Sequence, residues 1–224
     1  METAGALKGG AWVWALANLG TGFKLPNGDA VKGYLLLATA HQAGFATIGK
    51  VTPIRVVCAN TFAMSGGFES ESTIRVPHTD HFEPEQAARQ MELAREGMSE
   101  FEKNARLLQE LNLTRQEATN LLLPIYQPKM EPEKVHDIML KPDSEFLPGT
   151  IERIFHAART GPGADMSQPE GKADFTGWGL FNGATYHANH LARGVNDNRF
   201  ASTLVGSNNQ NLNRIFRGLV KLAA

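Results

Sequence analysis

Apolar and polar positions alternate along the first quarter of the chain and then settle into a helical period. Ala11-Trp-Val-Trp-Ala-Leu-Ala-Asn-Leu19, bracketed by Gly9-Gly10 and Gly20-Thr-Gly22, is short and rich in aromatic and apolar residues, which predicts a strand. Val31 to Ala40 has a fully apolar centre and predicts a strand inside a sheet. Phe45 to Val51 alternates and predicts a third. Pro26-Asn-Gly-Asp29 reads as a turn and Gln42-Ala-Gly44 as a connector, so the three strands pair antiparallel as a meander. Thr52-Pro53 then reads as an N-cap and first helical residue, with Ile54, Val57, Cys58 and Phe62 at helical spacing and Gly66-Gly67 at the end. The expected core is β-β-β-α, with a short strand at Ser72–Val76 stopped by Pro77.

Longer helices follow. Glu83 to Asn112 is amphipathic, with Met98, Phe101, Ala105 and Leu108 on its apolar side and Pro84 and acidic residues in its first turn. Thr114-Arg-Gln-Glu117 is a capping box that opens a second helix. Gln127 to Gly149 carries four prolines and reads as loop with a short helix near Glu133–Leu140. Ile151–Arg159 is helical, and Thr160–Gly171 is a long loop. Trp178, Phe181, Thr185 and Ala188 keep helical spacing among glycines, and Leu212–Leu222 is a final helix. The chain therefore reads as a single α+β domain, 1–224. Its parts are the core and short strand (11–82), a helical segment (83–126), a loop-rich segment (127–174) and a basic C-terminal helical segment (175–224).

Charge sharpens this picture. The net charge is −1. Residues 1–60 nevertheless carry five basic and two acidic groups, 61–140 eight and fourteen, and 141–224 nine and seven. From Trp178 onward Arg193, Arg199, Arg214, Arg217 and Lys221 stand against Asp197 alone. Arg214, Arg217 and Lys221 recur at i, i+3 and i+7, one cationic helix face. An acidic middle between basic ends suits either a basic groove or ordinary solvated helix faces. No apolar run approaches the roughly 20 residues of a membrane helix. No signal peptide is visible, and the single cysteine excludes an intrachain disulfide. A cytoplasmic location follows by default.

The common enzyme templates are absent. There is no phosphate-binding G-x-x-x-x-G-K-[ST], H-E-x-x-H, G-x-S-x-G or G-x-G-x-x-G. Cys58, on an apolar stripe, reads as an inert thiol rather than a nucleophile. His78 and His81 with Asp80 lack the further ligands of a metal site. His187 and His190, with Tyr186 nearby, either face one ligand or form an ordinary solvated pair. Neither a metal nor a nucleotide cofactor is expected.

Four stretches resemble a known family. Thr52-Pro-Ile-Arg-Val-Val-Cys-Ala-Asn-Thr61 looks like the T-P-x-R-V-V-C-x-N-T signature of the domain of unknown function 932 of phage- and plasmid-like proteins. Trp178-Gly-Leu-Phe-Asn-Gly-Ala-Thr185 is similar to its W-x-L-Y/F-N-x-x-T segment, and Arg199–Gly206 to the segment before a terminal basic helix. Tyr34-Leu-Leu-Leu-Ala-Thr-Ala-His41 resembles its strand before a Ser-His-Asp-Gly-like turn, with Ala-His-Gln-Ala in place of that turn. Family members usually carry more sequence upstream, whereas this chain starts near the first strand. The resemblance implies no established activity. It implies a phage or plasmid context in a bacterial cytoplasm.

At fold level the β-β-β-α core is also similar to phage RecT/Redβ-like single-strand annealing proteins, which hold the strand backbone in a basic groove. That likeness implies single-stranded DNA as partner, self-association as a ring or filament, and no membrane. It implies nucleic-acid contacts at Lys50, Arg55, Asn60, Thr61, Tyr186, Arg193, Arg199 and Arg214. Lys50, ending the third strand, and Arg55, opening the helix, are expected to meet one phosphate; Arg55 alternatively makes an internal ion pair. Trp178, Tyr186 and Phe200 are candidate base platforms, with core packing the competing role of Trp178 and Phe181. The alternatives are an oligomeric interaction protein built on the Glu83–Asn112 helix, and an enzyme centred on His187, His190 and Tyr186.

Overall fold

The computed structural model describes residues 3–41, 46–55, 60–61, 73–77, 84–141, 147–160, 164, 169–194, 198–199, 202–203 and 206–224. The chain divides into two compact units. One comprises residues 1–24 and 30–103; the other comprises Leu25–Asp29 and 104–224.

The first unit is an antiparallel sheet followed by a helix, the expected α+β meander. Its strands are β1 (Thr3–Leu7), β2 (Trp12–Lys24), β3 (Ala30–Ala40), β4 (Ala46–Arg55), β5 (Asn60–Thr61) and β6 (Thr73–Pro77). Their order is β1-β2-β3-β4-β5, with β6 also pairing β4. β1 is an addition to the expected set. A 3-10 turn at Lys8–Gly10 joins it to β2. β2 also outruns its predicted end. Gly20-Thr-Gly22 does not stop the strand but absorbs an irregularity, the register shifting between Asn18 and Gly22. Gly20 has φ +67°, a conformation that disfavours any side chain, and its N–H donates to Asn18 Oδ1 at 2.8 Å.

The helix expected at Pro53 is not there. β4 runs straight through Thr52 and Pro53 to Arg55, with Gly33 opposite Pro53 and Val31 opposite Arg55. On its other side β4 pairs with β6 through Ala46–Lys50 and with β5 through Ile54 and Arg55. Among the described residues Pro53 falls between these two pairings, so its missing N–H removes none of the ladder bonds described on that side. Sheet pairing thus overrides a proline that looks like a helix start. Val57 and Cys58 of the predicted stripe, together with Phe62, lie outside the described residues, as do His78, Asp80 and His81.

The helix that follows the sheet is α1 (Pro84–Glu110). Met98 is buried with Val51, and Leu19 and Phe23 pack against them. The Phe23 and Phe101 rings lie 6.0 Å apart. This stripe is the one the apolar period predicts. Ala105 and Leu108, further along it, are wholly buried in the second unit.

The second unit contains α2 (Arg115–Tyr126), α3 (Pro132–Leu140), α4 (Gly149–Arg159), α5 (Gly177–Tyr186), a π-helical turn (His187–Leu191) and α6 (Ser207–Ala223). A two-stranded ladder, β7 (Asn112–Leu113) with β8 (Phe175–Thr176), ties the chain ahead of α2 to the chain ahead of α5. The capping box forms as read: the Glu117 N–H donates to Thr114 Oγ1, and Glu117 accepts from the Thr114 N–H at 2.8 Å. The bonds that its carboxylate accepts from the Thr114 N–H and hydroxyl hold the Glu117 carboxyl below its ordinary pKa. Behind this cap the Phe155 and Phe175 rings stack at 4.8 Å, with the Arg115 guanidinium over one and Arg159 over the other. Asp174 accepts from the Arg115 N–H at 2.8 Å and pairs with Arg159, while Arg115 pairs with Glu152.

The tip of the β2–β3 hairpin belongs to this helical unit. The turn is closed by the Leu25 N–H donating to Asp29 O at 2.8 Å and the Asp29 N–H donating to Asn27 Oδ1 at 3.0 Å. The wholly buried Asp29 accepts from the Trp178 indole, Nε1 to Oδ2 2.9 Å, and Trp178 is itself fully buried. Removing this acceptor strands a buried donor. Asp29→Ala is therefore expected to cost about 1–3 kcal/mol in urea unfolding. Asp29→Asn, which keeps an acceptor oxygen, should recover a large part of that loss; equal losses in both would show that this bond does not account for the cost.

Candidate functional site

α5 starts where Thr176 accepts from the Gly179 N–H at 2.9 Å, a side-chain cap that frees the glycine-rich segment to run as helix. Its glycines have a packing purpose. A Cβ on Gly183 would lie 2.6 Å from Ile154 O and 2.8 Å from Ala158 N, so only glycine lets α5 approach α4 so closely. The polar residues of this segment bond back along the helix. Asn182 Nδ2 donates to Trp178 O at 3.0 Å, Thr185 Oγ1 to Phe181 O at 2.8 Å, and Asn189 Nδ2 to Thr185 O at 3.0 Å. Trp178 and Phe181 are core, the competing role weighed above.

After Tyr186 the helix widens. The Ala192 N–H donates to His187 O at 2.7 Å, an i→i+5 bond that closes the π turn. The two histidines then part. His187 is 6% exposed, whereas His190 is exposed and packs its ring 4.6 Å from that of half-buried Tyr186. They do not face one ligand. His187 instead meets the Tyr126 ring edge-on at 6.3 Å, and its Nε2 has no hydrogen-bond partner among the described residues. Burial, reinforced by the Arg153 charge, lowers the His187 pKa from 6.5 to about 4. Burial likewise raises the pKa of the Tyr126 phenol. Neither Tyr126 nor Arg153 was legible as a neighbour of His187, because only the packing of α2 and α4 brings them there.

The predicted contact residues are distributed over both units. In the sheet, Lys50 does not end a strand. It sits mid-strand between Leu36 of β3 and Thr73 of β6 and is largely buried. Arg55 does end β4, and its backbone pairs with Asn60, as Ile54 does with Thr61, so these residues share one corner of the sheet. Lys50 and Arg55 are roughly 17 Å apart along extended chain rather than together at a helix start. In the helical unit, Arg193 and Arg214 are exposed. Arg199 is engaged: its Nη1 donates to His190 O at 2.8 Å and to Ala192 O at 3.4 Å, capping the carbonyl end of the π turn. On α6, Arg214, Arg217 and Lys221 are exposed while Leu212, Ile215, Phe216 and Leu219 are buried, so the cationic face is real. Asn208 Nδ2 donates to Ala188 O at 3.4 Å, tying the start of α6 to the π turn. Phe200 lies outside the described residues.

The family model described as Domain of unknown function (DUF932) matches residues 1–216. The chain belongs to the DUF932 family. No curated protein and no solved structure matches it. Two of the stretches that suggested the DUF932 resemblance have these structural settings in this chain. Thr52–Arg55 is central sheet, and Trp178–Thr185 is a buried helix anchored to Asp29. Among the described residues no helix is long and apolar enough to cross a membrane, and no group of three or more His, Cys, Asp or Glu side chains is placed to hold a metal.

His187 yields a pH dependence. Its folded pKa lies below its unfolded value, so the unfolded chain takes the proton more readily and acid favours unfolding. The His187 contribution is expected to be complete above about pH 6.5 and to fall by on the order of 3 kcal/mol as pH drops towards 4. Chemical denaturation across that window should show a shallower slope in His187→Leu than in the wild type. Parallel profiles would remove His187 as the cause.

Proposed function

We propose that this protein binds single-stranded DNA through its backbone, as a strand-binding or annealing protein of a phage or plasmid. The observation that carries this reading is the exposed cationic face of α6. Arg214, Arg217 and Lys221 rise about 4.5 and 6 Å from one to the next, a row of charges suited to successive phosphates. Arg193 adds an exposed cation shortly after the π turn. Arg55, with Asn60 and Thr61, is a second, separate candidate contact at the corner of the sheet. The reading needs neither a metal nor a nucleotide.

Anisotropy titrations with a labelled single-stranded oligonucleotide across a salt series test it. Affinity should fall with salt, and Arg214→Gln/Arg217→Gln/Lys221→Gln should flatten the log–log slope by about two units, each single-strand contact contributing roughly 0.7. Absence of binding at low salt would overturn the reading.

Self-association belongs to the same proposal. Its support is β1, an edge strand of uncharged residues, together with the exposed Val13 on the neighbouring β2 and the exposed Leu37 on β3 of the same sheet. Light scattering should give a mass above 24.4 kDa that falls in Leu37→Lys; a monomer at all concentrations, with and without DNA, would contradict it.

A further inference from the structure

Most aromatic rings of the helical unit are enclosed. Phe155, Phe175, Trp178, Phe181 and Phe216 are all buried. The Tyr186–His190 pair is different: the rings lie 4.6 Å apart at 41°, and the outer one, His190, is exposed. The pair is also held from below. The i→i+5 bond from the Ala192 N–H to His187 O fixes the turn, and the Arg199 guanidinium grips the carbonyls of His190 and Ala192.

We propose that this π turn presents Tyr186 and His190 as a stacking platform for one unpaired nucleobase. The proposal rests on the single-strand reading above and gives that reading its base contact. The chemistry around the ring pair fits a nucleotide. His190 offers a flat polar face, Leu191 beside it is 39% exposed and offers apolar area to a base edge, and exposed Arg193 offers a cation to the adjoining phosphate. Stacking of this kind is tolerant of sequence, since every base has a π face. The bond from Asn208 Nδ2 to Ala188 O places the start of α6, the helix with the cationic row, against the same turn. Base stacking and phosphate contacts are therefore assigned to adjoining elements of one unit. Arg199 is a positioning residue in this scheme, because its guanidinium is already occupied by carbonyls.

The test uses the full chain and two labelled single-stranded oligonucleotides of equal length, one with bases throughout and one with a run of abasic sites. Wild type should prefer the complete strand. His190→Ala and Tyr186→Leu should each weaken binding to it roughly tenfold and lose the preference over the abasic strand. Their salt slope should stay that of wild type, because no cation has been removed. Tyr186→Phe, which keeps the ring, should bind as wild type does. If Tyr186→Leu unfolds, His190→Ala at an exposed position still decides the matter. Salt-sensitive binding by wild type, with no loss in His190→Ala and no preference for bases, would overturn the platform and leave the backbone reading standing. No binding by wild type would overturn both.

Discussion

The bond from the Trp178 indole to the Asp29 carboxylate is the constraint on which the rest of the helical unit is arranged. Both groups are fully buried, where water cannot replace a hydrogen bond that is lost. Asp29 sits on a turn shaped by the Asn27 side chain, which accepts from the Asp29 N–H, and Trp178 sits in the first turn of α5. Fixing the indole fixes the phase of that helix. Phe181 and Ala184 are thereby turned inwards and Gly183 is laid on α4, where no other residue fits. The π turn then begins where this rigid segment ends.

That dependence explains what was legible in the sequence. Local signals read correctly wherever the chemistry is local. The Pro26–Asp29 turn, the Thr114–Glu117 capping box and the amphipathic stripe of α1 each follow from residues a few positions apart. Pro53 misled because its meaning depends on distant strands. The residue is compatible with a helix start, and also with a stretch of β4 that falls between its partnerships with β5 and β6. Sequence alone does not say which strands flank it.

The candidate contacts illustrate the same limit. Arg214 was readable, because an exposed face on a helix is set by period alone. Lys50 was not, because a central strand with neighbours on both sides buries what a strand end would expose. The opposite fates of His187 and His190 follow from the widened turn between them, and nothing in His-Ala-Asn-His announces a π helix. Arg199 looked like a phosphate ligand and is instead a cap, a role fixed only once the carbonyls of His190 and Ala192 point at it.

The placement of the hairpin tip has a consequence for the order in which the protein can be assembled during synthesis. Asp29 and Trp178 are 149 residues apart in sequence. At about 5–20 residues per second, the carboxylate is made roughly 7 to 30 s before its indole partner. The sheet can pair long before then. Throughout that interval the turn must keep its shape unaided, and the bonds within Leu25–Asp29 are the means of doing so. The helical unit, by contrast, cannot close until its last third is translated around a peg that the nascent chain made first.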